Sequence, residues 1–178
     1  YPVEFMAALM TSCIDNPGKV SEYILNCRSM QIDLLPPDIN RSEGVFTVEQ
    51  NSIRYGLSAV KGIGKPVMDA IVEERTNNGE FKNLKDFIER LSGKVNKRTL
   101  ENFIKAGAFD SLGGTRKQFM LIYAQVLEDA NREKKNALTG QMSLFDLVSP
   151  EEKAAYEIKL PDVGEYSKEE QLSFEKEV

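Results

Sequence analysis

Residues 60–71 read VKGIGKPVMDAI: an apolar residue, a Gly-apolar-Gly turn, and a Pro-opened run with apolar residues at helical spacing. Gly62 and Gly64 lack a Cβ and can take φ > 0, so the chain can reverse sharply while its amides face outward. Pro66 costs no hydrogen bond in the first turn of a helix, so a helix is expected to start at about Lys65. Its first-turn N–H groups and positive dipole end then lie beside the turn. Ile63 is expected to point inward, closing the turn against Val60, Met68 and Ile71. Ala70 and Ile71 supply the small-apolar pair that ends the pattern, and Met68 stands where a smaller residue would let the flanking helices approach more closely.

That order of residues is a helix-hairpin-helix motif, whose ligand is a DNA phosphate; Lys61, Gly62, Ile63, Gly64 and Lys65 are the candidate contacts. Gly-x-Gly before a helix also occurs as a plain turn, so the flanks decide. The formal net charge is −5, which on its face argues against a polyanionic partner. Its distribution argues otherwise. Residues 1–53 hold 3 Lys and Arg against 7 Asp and Glu, residues 54–117 hold 13 against 8, and residues 139–178 hold 4 against 10. Positive charge gathers around the hairpin, giving a local electrostatic footprint.

At 178 residues, with 41% apolar and 29% charged residues, the chain has the composition of one or two globular domains. No apolar run is long enough for a membrane span, and the start YPVEF has neither an initiator Met nor a signal-peptide pattern. The expectation is a piece of a longer cytoplasmic protein with no membrane partner. Cys13 and Cys27, with no His in the chain, leave too few ligands for structural zinc and read as buried thiols. No metal or cofactor site is expected.

The fold class expected is mainly α with a small β-hairpin. Pro2 to Ile14 is apolar on nearly every side, a helix that calls for burial all round. Asn16 and Pro17 form an N-cap and N1 pair opening a second helix with Val20, Tyr23, Ile24 and Cys27 inward. LLPPDIN forces extended chain, because each Pro restricts the residue before it. Residues 45–50 and 52–55 alternate as a short hairpin turning near Gln50 and Asn51, expected to brace the glycine turn. Leu84, Phe87, Ile88 and Leu91 mark one short helix, and Leu100, Phe103 and Ile104 another after an Asn96 cap. Thr115 with Gln118 has capping-box spacing and opens a longer helix to about Lys135, with Met120, Tyr123, Val126, Leu127 and Ala130 inward.

NKRTLENFIKAGAFDSL, residues 96–112, reads as a degenerate second hairpin in which Lys105-Ala106-Gly107-Ala108-Phe109 has lost one glycine. Lys97 and Arg98 stand in the first turn of its helix, where cations oppose the dipole and gain nothing locally. With Lys105 they are further candidate DNA contacts, against the alternative of a solvated face. Asp86 follows Gly64 by roughly the distance at which hairpin-containing glycosylases keep a catalytic Asp, but no base pocket surrounds it in sequence. No catalytic residue is expected. Gln141-Met142-Ser143-Leu144-Phe145 follows Gly140, and its Leu-Phe pair is costly to expose unless it enters a partner's pocket. A local apolar staple is the plainer alternative. Gln-x-x-Leu-Phe is close to the pentapeptide with which bacterial proteins bind the sliding clamp, departing from its common form at Met142.

YPVEFMAALMTS, LLPPDIN, IRYGLSAVKGIG, NKRTLENFIKAGAFDSLG and GQMSLFD, in that order, resemble the C-family of bacterial replicative DNA polymerases, the polymerase III alpha-subunit family. The resemblance covers nearly the whole chain. It implies the end of a fingers region at 1–55, a tandem helix-hairpin-helix domain gripping duplex DNA at 56–137, a clamp-binding segment at 138–149 and an acidic linker at 150–178. It implies double-stranded DNA, the sliding clamp (beta subunit) and other replisome subunits as partners, and Mg²⁺ only for the whole polymerase, whose metal-binding carboxylates lie upstream. The rival class is a helix-hairpin-helix nuclease or glycosylase domain, which would need a carboxylate cluster or base pocket.

Overall fold

The structure is a computed structural model that describes residues 1–139 and 159–178. Its N-terminal part packs two helices on a small sheet. Helix α1 (Pro2–Ser12) has Pro at its start. Helix α2 (Pro17–Ser29) is opened by Asn16, whose Oδ1 accepts from the Lys19 amide at 3.2 Å. Val3, Met6, Ala7 and Met10 from α1 meet Val20 and Cys27 from α2 in one core, with Ile32, Phe46 and Ile53. Phe5 remains 64% exposed, so the all-round apolar character of α1 is only partly used. Both cysteines are free thiols; Cys27 is buried, and burial pushes its thiol pKa up.

The expected hairpin is present as β2 (Thr47–Glu49) and β3 (Ser52–Arg54), antiparallel, turning through Gln50 at φ 57° and Asn51. A third strand was not anticipated. β1 (Leu34–Leu35), the first half of LLPPDIN, pairs parallel with β3, giving the order β1-β3-β2. Two prolines stop β1 after two residues because neither can donate to a ladder. The sheet reaches the glycine turn through Glu43–Val45, whose neighbours in space are Gly56–Ser58: Leu57 N–H donates to Glu43 O at 2.9 Å and Ser58 N–H to Gly44 O at 3.0 Å. A Cβ on Gly56 would lie 2.5 Å from the Val45 carbonyl carbon, so only glycine permits this approach.

The second core is larger and holds the remaining helices. A single 3-10 turn, Leu57–Ala59, leads into the Gly62–Gly64 reversal and α3 (Lys65–Asn78). α4 (Leu84–Arg90), α5 (Lys97–Ala106) and α6 (Arg116–Leu138) follow, opened by Asn83, by the expected Asn96 and by the expected Thr115/Gln118 capping box. Phe87 is fully buried at the centre, edge-on to Phe81 and Phe109 with ring centroids at 4.9 and 5.0 Å, and Phe103 closes the cluster. On α6, Phe119 and Arg116 are buried more deeply than the expected Met120 and Tyr123, which are half-buried. Residues 168–177, within the tail read as a linker, form helix α7 (Lys168–Glu177), capped by Ser167 and Glu170 and laid across α5.

Replacing Phe87 with Ala removes a ring from contact with three others and should cost about 3–5 kcal/mol of stability. Urea unfolding measures this, and an unchanged midpoint would contradict the central place given to this ring.

Candidate nucleic-acid interface

The hairpin folds as its residue types demand, with one correction. Gly62 has φ +76°, the left-handed conformation in which L side chains are strained. Gly64 does not: it is the N-cap of α3 at φ −82°, ψ 155°, an extended conformation open to any residue. A Cβ there would meet only Pro66 Cδ, at 3.6 Å. Gly64 is therefore not needed for the turn; its missing side chain leaves the helix start uncovered. Ile63, between them, is buried in one core with Val60, Met68 and Ile71, as its spacing predicts.

Among the described residues, the amides of Gly62, Gly64 and Lys65 donate to no protein acceptor, and all three residues are exposed. The turn is held from behind. Asn102 on α5, itself 8% exposed, donates from Nδ2 to the Lys61 carbonyl at 2.7 Å. The same helix brings Arg98 to the turn, since a Cβ on Gly62 would lie 3.9 Å from its Nε. Lys61, Arg98 and Lys105 thus line one cavity of about 300 Å³, with Glu101 and Asn102 from α5 and Glu177 and Val178 from the tail. Asn102 is absent from any motif-based reading: a buried Asn on an amphipathic helix signals a polar partner but not which one.

The three helical cations differ. Arg98 is exposed and makes no ion pair among the described residues. Lys97 turns to α6 and pairs with Glu128 at 2.6 Å, which holds its pKa above the usual value. Its placement at the start of α5 therefore has a local compensation. Lys105 lies between Glu177 at 2.8 Å and Glu101 at 2.9 Å, and their hydrogen bonds, Glu177's first, outweigh partial burial and raise its pKa.

A second turn of similar design occurs earlier than residues 105–109. Between α4 and α5, Gly93 has φ +82°, Val95 is buried and Asn96 caps the next helix, accepting from the Thr99 amide at 2.9 Å. This repeats the order left-handed Gly, inward apolar residue, helix cap found at Gly62, Ile63 and Gly64, with Lys94 inserted. Its non-consecutive spacing hid it from a search for Gly-apolar-Gly. At residues 105–109 the chain also turns, through Gly107 at φ +80°, but Arg116 fills the space beside that glycine. Burial alone would pull the Arg116 guanidinium down in pKa; hydrogen bonds and charge from Asp110 and Glu175 outweigh it and hold it up.

Asp86 has a structural occupation: its carboxylate accepts from the Lys82 amide at 2.9 Å and pairs with Arg90 at 3.3 Å. Among the described residues no group of three acidic or Cys side chains is placed to hold a metal ion, and no helix is long and apolar enough to cross a membrane. Gln141, Met142, Ser143, Leu144 and Phe145 lie outside the described residues.

A reversal with outward amides, closed by an inward Ile and continued by a Pro-opened helix, defines a class. Residues 31–119 match the helix-hairpin-helix motif family, and the chain belongs to it. Along its length the chain is similar to proteins named DNA polymerase III subunit alpha. It is 40% identical to that of Borreliella burgdorferi over the whole chain, 43% to that of Chlamydia trachomatis over 84% of the chain, and 40% to that of Deinococcus radiodurans over 99%. The matched regions make up 16%, 12% and 13% of those relatives. The family resemblance drawn from the sequence accordingly holds, over a stretch that is a small part of those relatives.

Replacing Asn102 with Leu leaves the Lys61 carbonyl without its donor and should destabilise the fold by about 1–3 kcal/mol. Hydrogen exchange at the amide of buried Ile63, which donates to the Val60 carbonyl at 3.3 Å, should accelerate by more than the global loss accounts for; equal acceleration throughout would show that Asn102 does not lock the turn.

Proposed function

We propose that this chain is a non-catalytic DNA-binding segment of a replicative polymerase, holding duplex DNA by its phosphates without reading sequence. The observation that carries this is the exposed set Gly62, Gly64 and Lys65, whose amides find no acceptor among the described residues, beside the exposed Lys61 and an Arg98 that makes no ion pair among them. Backbone amides at a helix start recognise any phosphate equally, which favours affinity without base discrimination. Similarity to DNA polymerase III alpha subunits supports the replicative setting.

If Lys61, Lys65 and Arg98 neutralise about three phosphates, log K should fall with log salt at a slope near −2.7, with Kd no tighter than roughly 10⁻⁴ to 10⁻⁶ M at physiological salt. Gly64→Val puts a branched side chain where the phosphate would approach, at a backbone conformation that suits Val. The variant should fold normally and lose duplex binding in an electrophoretic shift at low salt. Full binding by the folded variant would refute the hairpin as the contact.

The second half of the proposal is that Gln141–Phe145 docks in the peptide groove of a sliding clamp, Leu144 and Phe145 as anchors and Gln141 orienting them. Its support is the sequence pattern. The isolated contact should be modest and become effective when DNA is held nearby and threaded through the clamp. Leu144→Ala with Phe145→Ala should abolish clamp binding by titration calorimetry and leave duplex binding intact; unchanged clamp affinity would return the motif to a local staple.

A further inference from the structure

The hairpin and the helix that braces it already carry a set of anions, and they are the chain's own. Residues 159–178 fold back over α5 and the start of α6. The Glu165 carboxylate accepts from the amides of Arg116 at 2.9 Å and Lys117 at 3.2 Å, at the N-terminus of α6. Glu175 pairs with Arg116 at 2.9 Å, and Glu177 with Lys105 at 2.8 Å, inside the cavity that Lys61 and Arg98 also line. Helix-start amides, a guanidinium and an ammonium are the donors that hold a phosphate, and a carboxylate satisfies them in the same way.

The contact is built to exchange. No residue of α7 is buried, and Leu172 is 45% exposed. Tyr166 and Phe174 pack edge-on with ring centroids 5.0 Å apart, and Lys117 and Lys105 lie 5.9 and 5.8 Å over their respective rings. Glu175 and Glu177 keep 41% and 57% of their side-chain surface in water, so each pair is screened and individually weak. A helix needed for the core would bury an apolar stripe, and this one does not.

We propose that the acidic helix α7 is an internal competitor for DNA, its Glu175 and Glu177 occupying the cationic surface beside the hairpin until duplex phosphates displace them. The proposal rests on the duplex-binding reading above. It makes Lys105 a conditional contact, available only when Glu177 leaves, and with it the Lys61 amide, which donates to the Val178 carbonyl at 2.7 Å, while Lys65 and Arg98 stay open throughout. Apparent affinity then equals intrinsic affinity scaled by the fraction of molecules with the helix displaced.

The test compares E175Q/E177Q with D162N/E169Q, which removes the same charge from the same segment at carboxylates that make no hydrogen bond or ion pair among the described residues. In fluorescence anisotropy with a short duplex, E175Q/E177Q should bind roughly fivefold tighter than wild type. Its salt slope should steepen by about 0.9 as Lys105 gains a phosphate, and D162N/E169Q should stay near wild type. Equal gains in both variants would reduce the effect to bulk charge and overturn the proposal, as would no gain in a folded E175Q/E177Q. If wild type and the Gly64→Val variant differ but E175Q/E177Q matches wild type, only the competitor fails; if no variant binds, the duplex-binding reading fails with it.

Discussion

The 2.7 Å hydrogen bond from Asn102 to the Lys61 carbonyl joins the two elements on which everything else depends, the glycine reversal and α5. A turn whose amides face solvent gives up the internal hydrogen bonds that would otherwise fix its shape. Rigidity must then come from behind, and it does: Ile63 is sealed in the core, Gly62 takes the left-handed conformation, and Asn102 holds the Lys61 carbonyl. The same helix that supplies Asn102 also supplies Arg98 and Lys105, so bracing the turn and charging its surroundings follow from a single packing arrangement.

That arrangement relies on the aromatic cluster beneath it. Phe87, Phe103 and Phe109 fix α4, α5 and the residues after α5 against one another. Around the cluster, partly buried polar contacts tie the loops to the core. Asn40 exchanges two hydrogen bonds with the Phe81 backbone at 2.8 and 2.9 Å, and Arg90 lies over the Phe81 ring while pairing with Glu74. The sheet meets the hairpin where Gly56 slips past Val45, a contact with no space for a side chain, and Arg75 on α3 adds hydrogen bonds to the Ile39 and Ser42 carbonyls.

Local signals made most of this legible in the sequence. Caps at Asn16, Asn96 and Thr115, the Pro66 helix start and the inward Ile63 each follow from residue type and spacing within one turn of chain. What escaped was non-local. Strand β1 is two residues long and exists only because β3 lies beside it. Asn102 is a polar residue on an apolar helix face until its partner forty-one positions away is known. Gly64 read as a conformational necessity, whereas its backbone is ordinary and its value lies in the side chain it lacks. The Gly93–Asn96 turn was hidden by one inserted residue, and the folded-back tail by acidic composition that suits a solvated linker equally well.

The account turns on whether phosphates are received by the amides of the hairpin, and amide chemical-shift mapping with a short duplex at low salt tests that most directly. Gly62, Gly64 and Lys65 should move first and furthest, followed by Arg98, and the same pattern should appear with duplexes of unrelated sequence. Shifts concentrated on α1, α2 or the exposed face of α6, with the hairpin amides unmoved at saturation, would contradict it.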